Sequence, residues 1–262
     1  MKHAFSMPLL LAALLGGAAM APAVQASVVT IQAIKVCNTD GSNCASANTY
    51  ETYADKIWAQ AGVDFVFLPT LQWNSTFANS YNYDTDDGSL LSQGMAAFAP
   101  GANVLNMYFV EDLIVSGGTL YGYGCGAALF AAACFNQTGV VINSTAVDAF
   151  GTVGRLDTVA HEVGHVLGLT HNSMGAGDSV PDNLMTAGSF RDVPQALSDI
   201  NPDGLGLSKL TADQIAEALS SSFVTADNGR VPEPGSLVLA GLAIAALGGV
   251  RRRRAEAAAT AG

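Results

Sequence analysis

Three of the chain's four histidines fall within eleven residues, HEVGHVLGLTH, positions 161–171. His161 and His165 stand four apart, so on a helix they lie one turn above the other and both imidazoles reach the same point. Glu162 lies about 100° further round. It is near any ion the histidines hold, yet free to address a water rather than the metal. A third ligand further along the same helix would point away. Gly168 can take positive φ, end the helix and turn the chain, which returns His171 to the ion from another direction. Three neutral imidazoles leave a fourth position open, as in catalytic rather than structural zinc sites. Copper, iron and nickel also accept imidazole, but zinc is the favoured ion, one per chain. Glu162 is then a base for the water that the ion activates, and the chemistry is hydrolysis. The remaining histidine, His3, lies near the start of the chain, so no Ser-His or Cys-His pair in the core has a free base.

That helix needs a scaffold, and the hydrophobic pattern upstream supplies one. SVVTIQAIKV (27–36), VDFVFLPTLQW (63–73), NVLNMYFVEDLI (103–114) and TGVVINST (138–145) read as strands. YETYADKIWAQAG (50–62) reads as a helix closed by Gly62, and residues 152–167 as the helix carrying the histidines. LTADQIAEALSS (210–221) is a last helix with Thr211 as its N-cap. Strands first and helices later predict an α+β (mixed α/β) domain over 27–228, with no internal repeat and no linker to divide it.

Between residues 27 and 228 five Lys and Arg face twenty Asp and Glu, a net charge of −15 against −11 for the whole chain. Such acidity argues against nucleic acid or an anionic membrane surface as partner. A monomer is expected. Asp84, Asp86 and Asp87, before Gly88, could offer oxygen ligands to calcium, but the twelve-residue spacing of an EF-hand is missing and a solvated acidic loop is the better reading.

Residues 1–26 have the charged start, apolar run and small-residue end of a secretory signal peptide, cut after Ala26. Export places Cys37, Cys44, Cys125 and Cys134 in an oxidising compartment, and two close disulfides, Cys37 to Cys44 and Cys125 to Cys134, are expected. The last segment, 229–262, holds Pro-Glu-Pro at 232–234, an apolar stretch from Gly235 to Val250 and four arginines, 251–254. The stretch could just span a membrane, with the arginines on the cytoplasmic side. This order resembles the PEP-CTERM sorting signal, which implies an exosortase-like protease as partner. It also implies transient anchoring in the inner membrane and then delivery to the cell surface or extracellular matrix.

HEVGHVLGLTH is similar to the long zinc motif of the metzincin metalloendopeptidases, and NLMTAG (183–188), with Met185, looks like their Met-turn. The resemblance implies a twisted N-terminal sheet with helices, a zinc helix and a Met-turn subdomain. It gives Met185 the part of a packing floor beneath the metal. GVVIN (139–143) is placed like the edge strand along which metzincins bind an extended substrate, and the 210–221 helix like the one that follows the Met-turn. Asn172 follows the third histidine and no tyrosine follows Met185, so no subfamily is assigned. Cys37 could instead be a switch that ligates the zinc, although its neighbour Cys44 favours the disulfide. The resemblance implies an exported zinc endopeptidase acting on a protein or peptide substrate, with Glu162 moving the water's proton. The alternative is a non-catalytic, metal-containing matrix or surface protein of the same fold. Hydrolysis of a non-peptide amide or ester shares the same site.

Overall fold

The computed structural model describes residues 27–85, 89–126, 134 and 137–227. The signal peptide expected over 1–26 and the sorting segment with its apolar stretch lie outside them. Among the described residues no helix is long and apolar enough to cross a membrane.

The strands are β1 (Ser27–Cys37), β2 (Val63–Asn74), β3 (Ser80–Asn82), β4 (Val104–Val110), β5 (Asp112–Ile114), β6 (Gly122–Cys125), β7 (Gly139–Asn143) and β8 (Val224–Ala226). The main sheet runs β2-β1-β4-β7-β6, and β8 pairs with the start of β1. The first four are mutually parallel, whereas β6 runs antiparallel to β7. The two short strands β3 and β5 form a separate parallel pair.

Parallel strands are apolar on both faces because both are covered, and the alternation along each strand sorts its side chains between two cores. Val29, Ile31 and Ala33 of β1, Leu105, Met107 and Phe109 of β4, and Val140 and Ile142 of β7 enter one core. Ile34, Val36, Tyr108, Val110 and Val141 enter the other. Helices α1 (Glu51–Trp58) and α5 (Thr158–Val166) cover the first face, α1 with Ile57 and Trp58, α5 with Val159, Ala160 and Val163. The Trp58 indole ties the two helices by donating to the Ala160 carbonyl (3.2 Å). On the second face lies α3 (Ser89–Ala97), through Leu90 and Leu91. The short helix α2 (Thr76–Asn79) joins β2 to β3, α4 (Ser144–Asp148) lies between β7 and α5, and α6 (Ala212–Leu219) closes the described chain before β8.

Several expectations about individual elements stand. Gly62 ends the α1 segment at φ +66°, and Thr211 caps α6, its side chain accepting from the Gln214 amide (3.2 Å). Both expected disulfides are present, Cys37–Cys44 at the end of β1 and Cys125–Cys134 at the end of β6.

Three expectations are corrected. The 103–114 run is two strands: it breaks at Glu111, whose amide donates to Asn79 Oδ1 (3.1 Å) instead of continuing the ladder. The histidine helix starts at Thr158 rather than 152, because the preceding residues form turns with Gly151 and Gly154 at positive φ. GVVIN is not an edge strand. All five of its residues are buried, with β4 on one side and β6 on the other. The edge is GYGC of β6, whose short glycine-rich sequence carries little strand signal.

Candidate metal centre

Helix α5 presents His161 and His165 one turn apart, and Gly168, at φ +102°, turns the chain just beyond it. The turn is closed by two amides, Gly168 donating to the His165 carbonyl (3.1 Å) and Leu169 to that of Gly164 (3.0 Å). His171 returns as the motif requires: its Nε2 lies 3.1 Å from that of His161 and 3.0 Å from that of His165. The remaining ring nitrogens are already engaged. His161 Nδ1 lies 2.7 Å from the Leu184 carbonyl, and His165 Nδ1–H donates to that of Leu169 (2.8 Å). These contacts orient both rings so that each Nε2 faces the shared space, and the carbonyl at His165 puts that ring's proton on Nδ1.

Converging lone pairs repel unless a cation lies among them. Ligands at zinc–nitrogen bonds of about 2.0–2.1 Å in a tetrahedron sit about 3.3 Å apart, close to the spacing here. Burial, the largest effect, moves the imidazoles towards their neutral, ligating form: well below the usual range for His161, to about 4 for His165, and downward for His171. Both cysteine pairs are disulfides, which leaves no thiolate to compete. The donor set fits zinc. Among the described residues these three histidines are the one cluster able to hold a metal. Of the acidic loop, Asp84 has its carboxylate occupied by the Ser116 amide, and Asp86 and Asp87 lie outside the described residues.

Glu162 is buried beside the cradle, 6% exposed. Without a cation among the three histidines, burial raises its carboxyl to about 8, against the pull of the Arg191 and Arg155 guanidiniums, and a cation held there would draw it back towards the carboxylate. What brings β6 so close is an alternation that composition does not reveal: glycines at 122, 124 and 126. A Cβ on Gly124 would fall 2.0 Å from the Glu162 carbonyl oxygen, and one on Gly126 2.8 Å from that of Val166. At Gly122 a Cβ would stand 3.0 Å from Glu162 Cγ. One face of the strand is bare so that the backbone of α5 can lie against it.

Met185 sits under the helix, fully buried, its Sδ only 2.6 Å from where a Cβ on Gly164 would be. The glycine between the two helical histidines is therefore the notch for the methionine. The turn is held by Asn183, whose Oδ1 accepts from the Met185 amide (2.9 Å). Gln214 of α6 exchanges two side-chain bonds with Asn183 (2.9 and 3.0 Å) while its Oε1 also accepts from the Thr211 amide (2.9 Å). The cap of the last helix is thus also the clamp on the methionine turn.

Behind His161 lies a buried ionic group. Arg191 donates from Nε to Asp157 Oδ2 (2.7 Å) and from Nη1 to the Thr186 carbonyl (2.8 Å), and that Nη1 also lies 2.7 Å from His161 Nδ1. Arg155 stands on the other side of the same carboxylate, Nε to Oδ1 3.8 Å. The side chain of Asp157, at the N-terminus of α5, is thus spent on arginines rather than on capping. Sequence reasoning missed Asp157, Arg155, Arg191, Gln214 and the glycines of β6. The available signals were the glycine alternation and the scarcity of arginine in an acidic core. The cleft over this floor has a volume of about 710 Å³ and is lined by β6, the three histidines, Glu162, both arginines and Gly188.

Two histidines with an adjacent glutamate on one helix, followed by a third histidine beyond a glycine turn, make the pattern of a metallopeptidase zinc motif. Residues 44–172 match the family model of the metallo-peptidase family M12B, reprolysin-like, and residues 230–254 match the PEP-CTERM protein-sorting motif. The chain carries a metallopeptidase domain of the reprolysin-like kind, followed by a PEP-CTERM motif. No curated protein matches it significantly. Among solved structures it is similar to a zinc-dependent peptidase from Methanocorpusculum labreanum, at 10% identity, TM-score 0.40, covering 73% of this chain and 99% of that one. It is also similar to archaemetzincin from Methanopyrus kandleri, at 12% identity, TM-score 0.42, covering 74% and 96%. A third is metalloproteinase-II from Bacteroides fragilis, at 13% identity, TM-score 0.40, covering 75% and 53%.

Proposed function

We propose that the chain is an exported zinc endopeptidase whose catalytic domain spans about residues 27–228. His161, His165 and His171 would hold the metal, and Glu162 would act as general base. The observation that carries the reading is the convergence of three Nε2 atoms, two of them fixed by carbonyls at Nδ1, beside a buried carboxylate in an open cleft. When bound, zinc supplies Lewis acidity at the scissile carbonyl and makes water more acidic.

The chain's own residues do the rest. Glu162 takes a proton from the attacking water as its oxygen bonds to the carbonyl carbon, then delivers that proton to the amide nitrogen as the C–N bond breaks. In this reading Gly122 and Gly124 keep the strand close enough for the carboxylate to be shielded from bulk solvent. Met185 and the Asn183–Gln214 clamp fix the floor, and Gly168 sets the third ligand. The edge of β6, which pairs with no further strand among the described residues, is where an extended peptide would add, its backbone held across the metal. The PEP-CTERM match supports export and processing by a sorting protease of the exosortase kind, with the cell surface or matrix as destination.

The test is cleavage of a mixed peptide library by the purified chain, with and without a chelator. Cleavage that the chelator stops and added zinc restores is expected. Cleavage that persists without metal refutes the mechanism, and tight metal binding with no cleavage supports a binding protein instead.

A further inference from the structure

Between residues 27 and 227 the chain has twenty carboxylates and only two arginines, Arg155 and Arg191. Both line the cleft beside Glu162. Lysine is used differently: Lys56 pairs with the exposed Asp203, and Lys209 with the part-exposed Asp182. The two guanidiniums instead sit together, 3% and 2% exposed, and share the single carboxylate of Asp157. A buried charge is costly unless it is paired and hydrogen-bonded, and here the pairing is unequal. Arg191 takes Asp157 at 2.7 Å. Arg155 Nε makes no hydrogen bond among the described residues, and its guanidinium donates only from Nη2, to the Gly188 carbonyl (3.0 Å).

The rest of its surroundings hold it flat in the wall of the cleft. The guanidinium carbon lies 4.3 Å from the centre of the Tyr121 ring and 5.2 Å from that of Phe150. Position 188 has no side chain, and a Cβ there would stand 3.3 Å from Nη2 and 3.5 Å from Nη1. A planar cation held by aromatic rings, with unused N–H donors and a glycine where a cover would be, suits a carboxylate arriving through the cleft.

We propose that Arg155, with Arg191 behind it, forms a carboxylate-binding subsite, so that the enzyme selects substrates with a carboxylate beside the bond it cuts. The proposal rests on the peptidase reading. The carboxylate comes either from an Asp or Glu side chain or from the substrate's own C-terminus, and the test separates the two. The full chain loaded with zinc is given peptides of one scaffold that differ only in Glu, Gln or Lys at the positions flanking the cleaved bond, each with a free and an amidated C-terminus.

The expected result is a kcat/KM at least about tenfold higher for a carboxylate-bearing peptide than for its neutral counterpart, equivalent to about 1.4 kcal/mol. A Glu-over-Gln preference that survives amidation places the carboxylate on a side chain, and a preference abolished by amidation places it at the terminus. Arg155→Met brings the ratio towards one, Arg155→Lys keeps part of it, and Gly188→Leu, which keeps both arginines in the chain, lowers it by crowding and covering Arg155. Equal cleavage of charged and neutral peptides by the wild-type chain, with free and amidated ends alike, overturns the proposal. If no peptide is cleaved, the peptidase reading fails separately. Calorimetric titration of the metal-free chain with glutarate then decides: binding that Arg155→Met removes supports the subsite, and no binding to the wild-type chain rejects it.

Discussion

Gly124→Ala is the sharpest probe of how β6 is held against the metal helix. The new Cβ would stand 2.0 Å from the Glu162 carbonyl oxygen and 2.9 Å from its carbonyl carbon. Neither is the end of a flexible side chain, so relief requires moving a strand or a helix by more than an ångström. Moving β6 strains its ladder with β7, where Gly124 faces Val140, and moving α5 displaces Glu162. Overpacking a well-packed core costs about 1–3 kcal/mol and occasionally more. A backbone-to-backbone clash of this depth belongs at the upper end, about 3 kcal/mol. In a domain of this size that lowers the melting temperature by about 6–12 °C. Gly118→Ala is the control, because nothing lies within 4 Å of a Cβ there. Thermal unfolding of the two variants beside the wild type checks this, with bound metal measured in each. A Gly124→Ala chain as stable as Gly118→Ala, with its metal retained, would show that β6 does not pack on α5 as described.

Asp157→Ala leaves two buried guanidiniums without their shared carboxylate, and breaking a buried pair in this way costs about 3–5 kcal/mol. Urea unfolding measures it, and a loss under 1 kcal/mol would mean that the arginines find another partner. Asp55, about half-buried, has its carboxyl raised to about 6, mainly by burial and further by Asp64 and Glu51. The folded chain therefore holds that proton more tightly than the unfolded one. Stability from Asp55 is fully present below about pH 4 and is lost as pH rises towards 6. Melting curves of wild type and Asp55→Asn across pH 4–7 should diverge in favour of the variant as pH rises, and a constant difference would contradict the raised value.

How much of this was legible in the sequence follows from where the determining forces lie. β1, β2, α1 and α6 were readable because their patterns are local: period-two alternation, a terminal Gly62, a Thr211 cap. The histidine cradle was readable for the same reason, since four- and six-residue spacings and one glycine bring three imidazoles together. β6 was hidden because its role depends on missing side chains. Only when α5 is laid against Gly122 and Gly124 does their absence acquire meaning. The start of α5 was misplaced because residues 152–157 continue a helical pattern, while Gly154 closes against the Tyr50 hydroxyl, 2.1 Å from where its Cβ would be. The pairing of Asp157 with arginines two and thirty-four residues away is a tertiary fact that no local pattern announces.

The central claim is that a metal held by His161, His165 and His171 works with Glu162 to cut peptide bonds. Its most direct test is to measure bound zinc and peptide cleavage together in the wild type and in Glu162→Gln. One zinc per chain in both proteins is predicted, with kcat/KM in the variant lower by about 10²–10⁴-fold, as expected on losing a general base. A variant that keeps its zinc and cleaves as fast as the wild type would contradict the claim.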